Sequence, residues 1–206
     1  MQQQPEFYSL VKGRAVAMSV ALEQRDTLTS QHCQRVARLA VALGRRCGLL
    51  ERDLRLLEIA AAFHDIGKIG IPDHVLKKPS RFNDDDWAIM KTHAERGQRI
   101  LRAAALRDGE ILGLAIRHHH ERYDGQGYPD GLAGEAIPLL ARIIAIADTY
   151  DAMATPRIYG RWRPPAEIVA VLEAEQGRQH DPYLSEMFLD MVGARRLTGS
   201  ALAPAS

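Results

Sequence analysis

Apolar residues recur along most of this chain every three or four positions, the period of a helix that turns one face to a core. Over residues 6–25 the pattern is loose, carried by Leu10, Val16, Val20 and Ala21. That stretch reads as an N-terminal helix that pairs with a second subunit, joins a sensor or lies as a lid on the core. Thr27 and Thr29 offer caps for the next helix, along which His32, Val36, Leu39 and Leu43 follow at i, i+4, i+7 and i+11. Gly44 or Gly48 ends it. From about Asp53 to His64, a third helix puts Leu54, Leu57, Ala61 and His64 on one face, and Gly67, Gly70 and Pro72 then enforce a loop. Residues 73–82, with Lys77, Lys78 and Pro79, are expected to stay irregular. Asn83 or Asp84 caps another helix, with Met90, His93, Gly97 and Ile100 on one face; the run Asp84, Asp85, Asp86 reads as its solvated start.

Residues 108–120 predict a helix that ends in His118-His119-His120-Glu121, before a turn-rich segment with glycines at 125, 127, 131 and 134. Pro138 can start the following helix, on which Ala141, Ile144 and Asp148 align; residues 166–175 and 182–192 read as two more. The tail from Gly193 is small and polar, and disorder is expected there. With no internal repeat and no strand pattern, the expected architecture is an all-α helical bundle.

Composition changes this picture little. The 206 residues are 46% hydrophobic and 26% charged, ordinary proportions for a globular chain able to bury one sizeable core. A formal net charge of +1 gives no general nucleic-acid surface, so no DNA partner is expected and any affinity for phosphate must be local. Cys33 and Cys47 make neither a disulfide framework nor a zinc-ribbon spacing. No signal peptide is expected, since Met1 to Glu6 is polar, and no apolar run approaches the ~18 residues of a membrane span. A soluble, cytoplasmic protein without membrane insertion is expected. The abrupt opening leaves room for a receiver or membrane-bound region in a longer parent.

The chemistry lies where polar residues interrupt the apolar stripes. His32, His64, His93 and Asp148 sit on core-facing positions of four helices, and Asp65 and a run of three histidines adjoin them. One core histidine is commonly a structural residue bonded to a carbonyl. Several imidazoles and acids turned inward together need partners, and metal ions supply them. Mixed imidazole and carboxylate ligation suits iron or manganese as well as zinc. Lys68, three residues beyond Asp65, can meet an anionic oxygen of whatever the metals hold.

His64-Asp65 within Phe63-His64-Asp65-Ile66-Gly67-Lys68-Ile69-Gly70-Ile71-Pro72-Asp73, together with His119-His120-Glu121-Arg122-Tyr123-Asp124-Gly125-Gln126-Gly127-Tyr128-Pro129-Asp130-Gly131-Leu132, resembles the HD-GYP group of the HD-domain phosphohydrolases. The resemblance runs from about Arg25 to Pro182. It implies a helical HD domain over 26–192 with a C-terminal GYP-type extension, a connector at 1–25 and a tail at 193–206. It also implies a bacterial signalling enzyme that hydrolyses cyclic di-GMP to pGpG or GMP, with a cluster of divalent ions, iron or manganese. On this pattern His32, His64, Asp65 and Asp148 hold one metal, and His93, His119 and His120 the other, with Asp65 bridging. Spacing alone leaves the register of the three histidines open; the family pattern selects the pair before Glu121. His118 is then close behind the ligands or exposed. A glutamate that holds a third metal in some members corresponds here to Leu28, so a binuclear centre is expected.

Two cations that neutralise a phosphodiester and deprotonate water would let a metal-bridging hydroxide attack in line, with Lys68 on a non-bridging oxygen. Tyr128 is expected to pack on a guanine or ribose, or else to cap the helical core. Arg157 matches the family's arginine after the Asp148 helix, while the lysine often found three residues later is Gly160 here. Asp124 and Asp151 are expected to support ligands or loops by hydrogen bonds, and His74 and His180 to be solvated. A homodimer through residues 6–25, a diguanylate cyclase, or an upstream sensor or receiver domain are the expected partners. Hydrolysis of mainly pGpG or another nucleotide phosphoester, and a non-catalytic nucleotide-binding or interaction module, are the competing functions.

Overall fold

Asp26 opens the first long helix, α1 (Thr27–Arg46), by accepting a hydrogen bond from the Thr29 N–H, so Thr27 and Thr29 are already helical rather than caps. The computed structural model describes residues 17, 18, 20–104, 108–155 and 163–193. Among these, α1 is followed by α2 (Glu51–Ala62), the short α3 (Asp73–Leu76), α4 (Asp84–Lys91), α5 (His93–Ala103), α6 (Gly109–Arg117), α7 (Leu139–Ala154), α8 (Pro165–Ala174) and α9 (Pro182–Met191). Tight 3-10 turns occupy Ile66–Gly70 and Gly134–Ala136. No strand occurs among the described residues, only an isolated bridge between Gln176 and His180.

α1 packs on α2 and α7, and α5 packs on α6 and on the turn at Ile66–Gly70. The apolar stripes meet in one core: Val36, Ala40 and Leu43 from α1, Leu57 and Ala60 from α2, Ile116 from α6, Ile143 and Ile144 from α7, Leu172 from α8 and Phe188 from α9 are fully or nearly fully buried. Each large side chain so buried contributes about 1.5–3 kcal/mol of hydrophobic stabilisation. Leu22, just ahead of α1, is also buried in this core, and Met18 packs against it. Those two residues cover part of the core; Leu10 and Val16, on which a pairing helix would depend, lie outside the described residues, as do Arg157 and the tail beyond Gly193.

The structure departs from the expected elements in four places. Residues 73–76 form a helical turn rather than irregular chain; Val75 packs with Ile71 and Met90 in a small second cluster, and Asp73 pairs with Arg25 at 2.5 Å. The helix expected to run through Met90 and Ile100 divides at Thr92. The Thr92 hydroxyl donates to the Ile89 carbonyl at 2.7 Å and the His93 ring bonds the Met90 carbonyl, taking acceptors of the last turn. α6 stops at Arg117, so the three histidines follow it rather than ending it. Finally, only Asp84 and Asp85 of the acidic run are exposed: Asp86 is buried, receives the Asn83 backbone N–H at 2.9 Å in a reciprocal capping box, and pairs with Lys78.

Candidate metal centre

Three helices end at the same place, each in the same way. His64, His93 and His119 each lie two residues beyond the last residue of α2, α4 and α6. Each points its Nδ1 at the carbonyl three residues back, on Ala61, Met90 and Ile116, at 2.7, 2.7 and 2.6 Å. Those carbonyls belong to the last helical turn, where acceptors lack intrahelical partners. Donation from Nδ1 fixes the tautomer and leaves Nε2 with a free lone pair. All three Nε2 atoms are buried without a hydrogen-bond partner. They face one another: the His64 and His119 ring centroids are 5.1 Å apart, and those of His93 and His119 5.4 Å. Three helix C-termini also bring the negative ends of their dipoles here. Unpaired imidazole nitrogens packed in a buried space are costly unless a cation joins them, so these residues fit a metal centre.

The opposite wall comes from α1 and α7. His32 stands between two carboxylates, with Nε2 2.8 Å from Asp148 Oδ1 and Nδ1 2.6 Å from Asp151 Oδ2. Arg35, one turn on from His32, donates from Nε and Nη2 to the two oxygens of Asp151 at 2.8 and 3.0 Å. The i,i+3 spacing places Asp148 and Asp151 on one side of α7. Between the walls lies Asp65. Its Oδ1 is 3.4 Å from His93 Nε2, and its Oδ2 is 3.6 Å from His64 Nε2 and 2.7 Å from Lys68 Nζ. Ligand atoms of Asp65, His93, His119 and His120 lie within 4.8 Å of one another, as do those of His32, His64 and Asp148.

The electrostatics suit neutral imidazoles at His93, His119 and His120 and ionised acids, while His32 is held in its charged form by its two carboxylates. Burial holds His119 and His93 below the usual imidazole range, and pushes His120 down to about 3. Burial also works against His32, but its bonds to Asp148 and Asp151 outweigh it and raise the ring to about 9. For Asp65 burial favours the acid, yet Lys68 and the surrounding imidazoles hold it well below the ordinary carboxylate range.

The turn-rich segment forms the rim. Buried Glu121 accepts the backbone N–H of Asp130 at 2.7 Å and of Leu132 at 3.1 Å, closing the loop. A Cβ on Gly127 would come within 2.3 Å of the Arg122 nitrogen, so the chain crosses itself where only glycine fits. The Tyr128 ring stacks on His120 with centroids 4.9 Å apart and planes 30° apart, and the Lys91 ammonium lies 5.6 Å from the Tyr128 centroid. His118 turns away from the other imidazoles: it is buried, with Nε2 2.8 Å from Asp130 Oδ2, and Arg117 grips the same carboxylate. Asp124 pairs with Arg122 and accepts the Gln126 N–H, supporting the loop rather than an imidazole.

The structure therefore brings His32, His64, Asp65, Lys68, His93, His119, His120, Asp148 and Tyr128 together; Arg157 lies outside the described residues. His74 is exposed as expected, but His180 is not solvated: it is 2% exposed, with both ring nitrogens unpartnered. The turn at 175–181 folds it inward, since the backbone N–H groups of Tyr123 and Asp124 bond to Gln179 and Arg178. Sequence reasoning also missed Arg35 and Lys91. Arg35 was findable as a cation one turn beyond His32; nothing local marks Lys91 as a neighbour of Tyr128.

A family profile described as HD domain matches residues 17–184. The chain is 45% identical over 163 residues to the cyclic di-GMP phosphodiesterase response regulator RpfG of Xanthomonas campestris pv. campestris, covering 79% of this chain and 43% of that one. It is 38% identical over 170 residues to the 3'3'-cGAMP-specific phosphodiesterase 2 of Vibrio cholerae, covering 82% and 33%. The chain thus spans less than half the length of these relatives. Among solved structures, Bd1817, an HDG"Y"P protein from Bdellovibrio bacteriovorus, superposes with a TM-score of 0.64 at 24% identity, over 80% of this chain and 52% of that one. A cyclic GMP-AMP specific phosphodiesterase of V. cholerae gives 0.67 at 24%, over 92% and 50%. At that identity both speak for the fold alone. With the profile spanning the helices that carry the histidines and acids, and with the paired motifs at 64–72 and 119–132, the chain belongs to the HD-domain family, in its HD-GYP group.

Proposed function

We propose that this chain is a metal-dependent phosphodiesterase that hydrolyses cyclic di-GMP to pGpG, GMP or both. In this reading His32, His64 and Asp148 hold one divalent ion and His93, His119 and His120 a second, iron or manganese in each case. Asp65 would be shared between the two, since one of its oxygens faces His93 and the other His64. The observation that carries the reading is the set of three buried Nε2 atoms with no partner, each on a ring locked through Nδ1. When bound, such ions neutralise phosphate oxygens and generate a nucleophile from water near neutral pH. Exposed Leu28, where a third ion would need an acid, supports two ions rather than three.

The chain's own residues handle the substrate. Lys68 keeps part of its side chain open to solvent while its ammonium rests on Asp65, so it can turn toward a non-bridging oxygen as negative charge builds there. His32 is anchored by Asp151, which is held by Arg35. Tyr128, stacked on His120 at the rim, presents an aromatic surface at the height where a guanine or ribose would lie. Arg157 is the further phosphate or base contact in this scheme.

A second reading follows from the relative named as 3'3'-cGAMP-specific: this chain would then prefer the mixed dinucleotide. Purified protein supplied with Mn2+ or Fe2+ and offered cyclic di-GMP, 3'3'-cGAMP or pGpG separately distinguishes them. Fastest cleavage of cyclic di-GMP is expected. Faster cleavage of 3'3'-cGAMP selects the second reading, and a strong preference for pGpG defeats both. Nucleotide binding without turnover in metal-loaded protein would make the chain a binding module instead. A homodimer through residues 6–25, and a cyclase or sensor partner, belong to the same proposal; the greater length of the relatives supports a further domain.

A further inference from the structure

Cys33 follows His32 on α1 and is 1% exposed. Its sulfur, a ring nitrogen of His64 and a carboxylate oxygen of Asp65 lie within 4.8 Å of one another, and all three residues are buried. Burial and the Asp65 carboxylate hold the Cys33 thiol well above its ordinary range, so a bound ion would have to displace its proton. His64 Nδ1 is committed to the Ala61 carbonyl, while its Nε2 has no partner and lies 3.6 Å from Asp65 Oδ2. A cysteine, a histidine and an aspartate, converging with one imidazole nitrogen unsatisfied, make three protein ligands of the number and type that hold a tetrahedral ion.

We propose that Cys33, His64 and Asp65 form an alternative ligand set that captures a thiophilic divalent ion such as Zn2+ or Cd2+. The proposal rests on the metal-centre reading above, because it shares His64 and Asp65 with that centre. The two sets cannot be filled independently. Mn2+ and Fe2+ favour the imidazole and carboxylate groups, whereas thiolate selects softer ions. A thiophilic ion therefore displaces the working metal from one side of the centre. Cys47 provides the contrast: it is a free, half-buried thiol that belongs to none of the ligand groups among the described residues.

The test uses Cd2+ and Mn2+ on the whole chain. Cd2+ should produce the ultraviolet thiolate-to-cadmium charge-transfer band and release bound Mn2+, seen as free Mn2+ by electron paramagnetic resonance. The Cys47→Ser variant should behave as the parent. Cys33→Ser and Cys33→Ala should lose the band and bind Cd2+ about tenfold or more weakly, while still loading Mn2+. Two replacements of different size guard against one that misfolds, and the parent's spectrum tests the idea with no replacement. Cd2+ bound to the parent without a thiolate band, or a band that persists in Cys33→Ser, overturns this proposal and leaves the metal centre standing. Failure of the parent to bind either ion overturns both.

Discussion

His32 Nδ1 lies 2.6 Å from Asp151 Oδ2, joining residues 119 positions apart in the chain. Asp151 is itself pinned by Arg35, so α7 orients an imidazole on α1 through a carboxylate that faces away from the other imidazoles. Partners of this kind set tautomer and ring angle, and their loss typically costs about 10–100-fold in metal affinity. Asp151→Asn should therefore weaken metal binding by about that factor with the helical fold retained, as measured by metal titration and circular dichroism.

The run of histidines offers an internal contrast. His119→Ala removes one of the unpartnered Nε2 atoms and should lower bound metal and abolish turnover. His118→Ala removes the bonds to Asp130 and to the Leu114 carbonyl and should keep its metal while losing about 1–3 kcal/mol of stability. Elemental analysis and thermal denaturation of the two proteins separate these outcomes; equal metal loss in both would reassign the register.

Gly67 sits where the turn after Asp65 meets α5. A Cβ there would fall 1.9 Å from the His93 carbonyl oxygen and 2.6 Å from the Gly97 nitrogen, both backbone atoms that cannot rotate aside. Gly67→Ala should cost about 1–3 kcal/mol and misplace His93 relative to Asp65, giving a lower Tm together with reduced metal content.

How far the sequence revealed this arrangement depends on the length of the signal. α1, α2 and α7 each carry an apolar stripe over three or more turns, and periodicity located them. The ends were harder, because His64, His93 and His119 use their rings to take the acceptors of the turn before, a side-chain event that hydrophobic period does not record. α3 spans four residues and has no period to read. Asp86 is buried through its cap and Lys78, although its neighbours Asp84 and Asp85 face solvent. His180 was misplaced for a different reason: its burial follows from long-range bonds between residues 123–124 and 178–179.

That buried ring gives a pH prediction. Burial pushes His180 down to about 4, against an ordinary value of 6.5. The unfolded chain takes up this proton near pH 6.5 and the folded chain only near pH 4. Stability therefore falls as pH drops through that window, by an amount on the order of a few kcal/mol, and levels off below it. His180→Phe, which keeps a ring but has no nitrogen to protonate, should flatten the acid side of a Tm-against-pH curve. An unchanged slope would assign the acid sensitivity to other groups.

Elemental analysis of protein purified without oxygen addresses the metal centre most directly. Close to two iron or manganese ions per chain, falling sharply when His64 and Asp65 are both replaced by alanine, is the expected result. Protein that binds no divalent ion when given Mn2+ or Fe2+, or whose metal content is unaffected by that double replacement, would contradict it.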